Sequence, residues 1–394
     1  MVGKLRPVGS RVPSPMHSER SAFPWEAFYR TQFMGSGTQA LSAAIAFSIQ
    51  RRSGVSSPEV IVPAYGCPDL IAAIVAQDAT PVLVDLEPDS PLMSIIGIRE
   101  AISPSTVSIV GVGFLGISER IKLLARICQE NDLFLIEDSA QCFPPESSFQ
   151  PLADCVVLSF GRGKPINLMG GGALLFRKQF VEEAELLLSR YPLEIRKTGI
   201  AWWAKRLMIN FLLGRIPYQI LERLPLGIGE TRFHPLLSIS REQVPENLLS
   251  AGICDLRSRP EINLVYDAAL AELEEFGWEA LVKRSEYNTS HGWPHLMLRY
   301  PVLAPSREIR DCAVLMLNAA GIGANAFYGK TLVEIDGVDE QLMKGSYPMA
   351  SDFAARLLTL PTHEDVEASD VGVAKDILMV VARQGKAYFK RDRA

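Results

Sequence analysis

Two neighbouring stretches decide the fold. They are Leu133-Phe134-Leu135-Ile136-Glu137-Asp138-Ser139-Ala140-Gln141 and Cys155-Val156-Val157-Leu158-Ser159-Phe160-Gly161-Arg162-Gly163-Lys164-Pro165. Each starts as a short apolar run without strict polar alternation, the pattern of a strand buried on both faces. Each then turns polar. The first ends in two acids, the second in a serine and a glycine-flanked lysine. In a parallel sheet, residues just past the carboxyl ends of strands lie in the crevice where ligands bind.

The pattern repeats on either side. Strands are predicted over Val60–Pro63, Pro81–Leu86, Val107–Phe114, Leu133–Glu137, Cys155–Phe160 and Ala173–Phe176. Helices are predicted between them, over Thr38–Arg51, Cys67–Gln77, Ile95–Ile102, Ser118–Asn131 and Lys178–Ser189. Such alternation implies right-handed βαβ units and an α/β domain with a mostly parallel sheet. Past a helix over Pro245–Glu275, a strand over Leu296–Val302 and helices over Ser306–Ala320 and Ala368–Arg383 read as a smaller α+β domain. The expected organisation is therefore an N-terminal arm (1–35), a large domain (36–245) and a small domain (246–394).

Composition narrows the function. At 48% hydrophobic and 22% charged residues, a chain of 394 residues has ample material for a core, which excludes a disordered or collagen-like polymer. The net charge of −5 argues against nucleic-acid binding by bulk electrostatics. Six cysteines lie scattered without a C-x-x-C pair, and no signal peptide precedes them, so reduced thiols in the cytoplasm are expected. His291 and His295 have the spacing of metal ligands, but Pro294 separates them and no Glu follows the first, so no metal is expected. No run reaches 18 uninterrupted apolar residues, so no membrane span is expected.

Residues 190–245 interrupt the alternation. Trp202, Trp203, Leu207, Met208 and Phe211 mix there with Arg196, Lys197, Lys205, Arg206 and Arg215. Two readings stand: a helical bridge packed on the other domain or on a partner subunit, or a basic amphipathic helix making peripheral membrane contact through 196–225.

Chemistry enters at four places. Gly35-Ser36-Gly37-Thr38 opens an amphipathic helix, and a helix N-terminus with small and hydroxyl residues is a natural phosphate seat. Asp138 lies at a strand's carboxyl end. Lys164, beside Arg162 in a Gly-rich loop, is a candidate activated amine. The loop is not a Walker A motif, because Leu158 stands at the first Gly position and Pro165 at the Ser/Thr position. Gly170-Gly171-Gly172 permits close backbone approach. A competing signal is Gly111-Val112-Gly113-Phe114-Leu115-Gly116, which matches the G-x-G-x-x-G dinucleotide pattern and would make the protein an NAD-dependent oxidoreductase. Apolar residues fill its variable positions. In chain order, a phosphate seat, a strand-end Asp, then a Ser and a Lys on the next strand's loop form the layout a pyridoxal 5′-phosphate (PLP) enzyme needs.

At these residues the sequence resembles the DegT/DnrJ/EryC1/StrS aminotransferases, fold-type I PLP-dependent enzymes. The resemblance rests on Ser36-Gly37-Thr38, Val60-Ile61-Val62-Pro63-Ala64-Tyr65, Glu137-Asp138-Ser139-Ala140-Gln141, Ser159-Phe160 with Lys164, Gly171-Gly172-Ala173, Gly321-Ile322-Gly323 and Leu358-Thr359-Leu360-Pro361. It implies a large domain around a mostly parallel seven-stranded sheet, and transfer of an amino group, with glutamate as donor and a keto group of a nucleotide-linked sugar as acceptor, for surface polysaccharide. It implies a homodimer with its site at the subunit boundary. By resemblance, Lys164 is the Schiff-base lysine and Asp138 pairs with the pyridinium nitrogen. Gln141 lies near the ring's phenolic oxygen, while Ser36, Gly37, Thr38 and Ser159 hold the phosphate. The ring-stacking place falls to Tyr65 or Cys67. The family's Asn-Tyr-Arg segment, which reaches into the partner's site, is not found; Glu230-Thr231-Arg232-Phe233 stands in that region. That departure supports an alternative, a non-catalytic or regulatory member of the same fold. Lys164 supports transamination.

Overall fold

In the computed structural model, which describes residues 3–15, 23–224, 230–281, 293–294, 296–338 and 345–391, the predicted strands assemble into one sheet. Its strands are β1 (Tyr29–Met34), β2 (Glu59–Pro63), β3 (Thr80–Val84), β4 (Thr106–Val112), β5 (Phe134–Asp138), β6 (Cys155–Ser159), β7 (Gly172–Arg177), β8 (Leu193–Ile195) and β9 (Arg241–Gln243). The spatial order is β3-β2-β4-β5-β6-β7-β1-β9-β8. From β3 to β6 all pairings are parallel, whereas β7 runs antiparallel to both β6 and β1. The expected seven strands are thus extended to nine by two three-residue strands at one edge.

Helices α1 (Gly37–Arg51), α2 (Asp69–Val75), α3 (Ile95–Ala101), α4 (Ile121–Glu130) and α5 (Val181–Leu188) cover the sheet. Residues along β5 alternate between its two faces. Phe134 and Ile136 join one apolar cluster with Ala44 and Phe47 of α1; Leu135 joins another with Leu124 and Ile127 of α4. The same alternation sends Asp138 and Glu137 to opposite faces. On β6, Cys155 and Val157 share the α1 face, and Ser159 follows them in register.

Two sequence expectations are corrected. Residues 1–35 are not wholly an arm, because β1 pairs along its length with β7, from Tyr29 opposite Arg177 to Met34 opposite Gly172. The polar run Arg30-Thr31-Gln32 hid it. The helix expected over 245–275 is broken into α8 (Glu246–Arg257) and α9 (Ile262–Leu270), followed by a 3₁₀ turn. Pro260 lacks an N–H and pushes the preceding residue out of helical conformation. The break also changes layer: Leu248 and Leu249 of α8 pack with Leu135 and Val156, while Tyr266 and Leu270 of α9 pack against a second sheet.

That second sheet is antiparallel, β10 (Glu279–Ala280), β11 (Arg299–Leu303) and β12 (Leu357–Pro361), with α10 (Arg307–Ala319), α11 (Pro348–Arg356) and α12 (Ala368–Arg391) around it. Leu5 of the arm is buried in its core, and buried Arg6 pairs with Glu364 and Asp365. Two further helices, α6 (Ile200–Leu212) and α7 (Arg215–Glu222), form the interruption seen in the sequence. The pair His291 and His295 lies outside the described residues. Among the described residues no group of three or more His, Cys, Asp or Glu is placed to hold a metal, and no helix is long and apolar enough to cross a membrane.

Candidate active site

The carboxyl ends of β5 and β6 and the N-terminus of α1 meet in a cleft of about 550 Å³, its solvent mouth included. Gly37, Thr38, Asp138, Gln141, Ser159 and Lys164 all line it. Residues separated by up to 127 positions, from Gly37 to Lys164, thus come together because each follows the carboxyl end of a buried strand or opens a helix beside one.

The α1 end is built for close approach. Ser36 caps the helix, its hydroxyl accepting from the Gln39 N–H at 3.1 Å. A Cβ on Gly37 would lie 2.7 Å from Ser159 Cβ and 2.8 Å from its Oγ, so only glycine lets the first turn abut that hydroxyl. The first-turn N–H groups of a helix have no partners within it. The Thr38 hydroxyl donates to Asp69 at 2.9 Å, joining α1 to α2.

Asp138 and Glu137 show two fates of a buried acid. Glu137 Oε1 accepts from the Ser139 hydroxyl at 2.9 Å and the Glu146 N–H at 2.7 Å, while its Oε2 accepts from the Ser147 N–H at 3.1 Å. It pins a loop on the back of the sheet. Asp138 accepts the Ala140 N–H at 3.0 Å on one oxygen and faces the cleft. Burial pushes its carboxyl above the ordinary range, against the smaller opposing pulls of the Ala140 N–H and the Lys164 charge. The site therefore presents a buried acid whose largest influence is burial and whose cation, Lys164, acts only as a lesser pull.

Lys164 sits in the loop between β6 and β7. Its N–H donates to Gly161 O at 3.3 Å, and Gly163, at φ +83°, makes the turn before it. The arm straps this loop: the Ser10 hydroxyl lies 3.3 Å from the Lys164 carbonyl, and the Asn167 side-chain amide donates to Ser10 O at 2.8 Å. The sequence pattern did not reveal this strap, and no local motif announces it.

Gln141 is held at both ends of its amide. Its Oε1 accepts from Leu115 N–H at 3.2 Å, and its Nε2 donates to the Tyr328 hydroxyl at 2.9 Å. Tyr328, absent from the expected site, brings the segment after Gly323 to the cleft. The structure separates the two stacking candidates. Tyr65 is packed edge-on among Phe114, Tyr328 and Phe353 and is absent from the cleft lining, so its expected place on a ligand ring is corrected to a place in the core. Cys67 lines the cleft, its thiol pushed up to about 12 by burial and next by Asp69. Ser36 acts as the helix cap and does not line the cleft.

Val112, Gly113 and Phe114 of the Gly111–Gly116 loop line the same cleft, and its glycines serve packing. A Cβ on Gly111 would meet Ile121 at 2.8 Å and Leu124 at 2.9 Å; one on Gly113 would meet Cys142 Sγ at 2.5 Å. The next helix, α4, begins only at Ile121 and has no side-chain cap at its start. The dinucleotide reading therefore lacks its phosphate-binding helix end.

The sheet order, the crevice and the second sheet define the fold-type I class of PLP-dependent transferases. The sequence profile of the DegT/DnrJ/EryC1/StrS aminotransferase family matches residues 32–215 and 255–378, and the chain belongs to that family. Among characterised relatives, the dTDP-4-dehydro-2,3,6-trideoxy-D-glucose 4-aminotransferase of Saccharopolyspora spinosa is 24% identical over 355 residues, covering 87% of this chain and 82% of that enzyme. The UDP-N-acetyl-3-dehydro-α-D-glucosamine 3-aminotransferase of Acidithiobacillus ferrooxidans is 31% identical over 143 residues, spanning only 36% of this chain and 38% of that enzyme. A putative sugar aminotransferase of Streptococcus pneumoniae, solved in PMP and PLP forms, superposes in its PMP form with a TM-score of 0.67 at 17% identity, covering 98% of this chain and 100% of the other.

Proposed function

We propose that this chain is a PLP-dependent aminotransferase that moves an amino group from glutamate to a keto group of a nucleotide-linked sugar, acting as a cytoplasmic homodimer in the making of surface glycans. The observation that carries the reading is the single cleft shared by Asp138, Lys164 and the N-terminus of α1. The two named relatives, both acting on nucleotide-linked keto sugars, support the choice of acceptor. The homodimer and the glutamate donor follow from the family resemblance.

The residues fit PLP. A buried carboxyl with one N–H partner is the complement of a pyridinium N–H, whose positive charge would offset the burial that pushes this carboxyl up. The helix end with Gly37, Thr38 and Ser159 suits a phosphate. Bound there, PLP supplies an electron sink for the substrate Cα and a carbon that carries the amino group between half reactions.

The chain's own residues do the rest. Asp138 keeps the proton on the ring nitrogen. Lys164 provides the amine that takes the proton from the substrate Cα and returns it. Gly37, Thr38 and Ser159 bind the phosphate and fix the ring's position. Cys67 lines the cleft with a thiol that stays protonated at physiological pH, and would offer the bound ring a neutral contact. Gln141, held by Leu115 and Tyr328, would offer the bound ring a fixed amide.

The test is glutamate-dependent formation of 2-oxoglutarate with nucleotide-linked keto sugars, in the unmodified protein and in Lys164→Ala. The variant should lose about four orders of magnitude in rate. A variant that turns over at the normal rate would remove Lys164 from its role.

A further inference from the structure

Helices α6 and α7 turn an apolar stripe outward. In α6, Ile200, Leu207, Met208 and Phe211 are 91%, 62%, 55% and 69% exposed, and no residue of the helix is buried. Positions 200, 204, 207, 208 and 211 share one face at helical spacing. The attached face is mixed: Trp202 packs against the core of the large domain, Arg206 donates to the carbonyls of Val12 and Pro13, and the Asn210 amide exchanges hydrogen bonds with Val12. In α7, Ile216 and Ile220 continue the outward apolar stripe at 53% and 59% exposure. An ordinary surface helix does the reverse.

The charge around the stripe is mostly basic. From Arg196 to the end of α7 the sequence holds five basic residues and one acid, Glu222, which pairs with Lys4, in a chain whose net charge is −5. Arg196 and Arg215 are neutralised by Glu242 and Asp370. Lys197 and Lys205 have no carboxylate partner among the described residues, and Arg206 is bonded to carbonyls alone. A two-fold contact would set this patch against itself and bring like charges together, which opposes a second copy as its occupant. An apolar stripe with Trp203 at its flank and lysines beside it is the composition that seats a helix at an anionic lipid surface.

We propose that α6 and α7 form a peripheral docking surface for a bilayer rich in anionic lipid, lying in its interface without crossing it. The proposal is independent of the catalytic reading. It places the membrane beside the strap over the Lys164 loop, since Ser10 lies two residues from Val12.

The test is flotation of the full chain with vesicles of phosphatidylcholine alone and with about one third phosphatidylglycerol. Binding should be at least about tenfold stronger to the anionic vesicles and should weaken in about 0.5 M salt. The double variants Leu207→Glu with Phe211→Glu, and Lys197→Glu with Lys205→Glu, should each reduce it about tenfold or more; both alter exposed positions and leave folding intact. Failure of the unmodified chain to float with either vesicle overturns the proposal. So does binding that neither double variant changes. If the Leu207 and Phe211 variant instead turns a dimer into a monomer without any lipid binding by the parent chain, the face joins two copies and the proposal is wrong.

Discussion

Gly37 and Gly111 both stand at the carboxyl edge of the same sheet, each where a Cβ would come within 3 Å of a neighbour, yet they serve opposite ends. Beside Gly37 the neighbour is a serine hydroxyl, the backbone is a helix N-terminus, and the space beyond is an open cleft. Beside Gly111 the neighbours are the methyl groups of Ile121 and Leu124, and the space is filled. A glycine marks close approach; what approaches decides whether it is a site. The G-x-G-x-x-G pattern and the shorter Ser-Gly-Thr pattern are therefore ranked by their surroundings and not by their length.

With Lys164 in place, the largest effect is expected at the cleft's acid: Asp138→Asn should lower kcat by about two to three orders of magnitude while the protein stays folded, read from steady-state rates and a thermal melt. An unchanged rate would empty the open strand end of its chemistry. Next comes Gly37→Ala, whose Cβ would press on Ser159; PLP affinity, measured by titration, should fall by about tenfold or more. The counterpart Gly111→Ala should leave PLP affinity unchanged and cost about 1–3 kcal/mol of stability by overpacking against α4. Equal losses of affinity in both variants would erase the distinction.

The smallest effect lies on the back of β5. Burial, with Glu137 and then Glu119 nearby, pushes the Glu146 carboxyl up to about 7 from 4.5. The folded chain then holds a proton that the unfolded chain releases, so this group's contribution falls as pH rises from about 4.5 to 7. Glu146→Gln should raise the thermal midpoint by about 1–2 °C at pH 8 and leave it nearly unchanged at pH 4.5. The opposite pH order would contradict the crowding of acids there.

Much of this was legible in the sequence because buried parallel strands announce themselves. β5 and β6 are short, apolar and end abruptly in polar residues, so the residue pattern alone puts Asp138, Ser159 and Lys164 at strand ends. β1 was not legible, since Arg30-Thr31-Gln32 breaks its apolar signal and its partner β7 lies about 140 residues away. The break at Pro260 was masked by the apolar residues that continue on both sides of it, although a proline in a helical pattern warns of one. Tyr328 and Ser10 act through contacts to Gln141 and the Lys164 loop that span 187 and 154 residues, and no local spacing encodes such contacts. Tyr65 and Cys67 were indistinguishable in sequence, two residues apart after Pro63. The turn into α2 separates them, one into an aromatic cluster and one into the cleft.

The central claim is that the cleft binds PLP through Lys164 and lets glutamate load it with an amino group. The most direct measurement is the absorption spectrum of the purified protein with PLP, before and after adding glutamate. A band at about 420 nm, absent in Lys164→Ala, should give way to one at about 330 nm on adding glutamate. A protein that develops no such band with excess PLP would contradict the account.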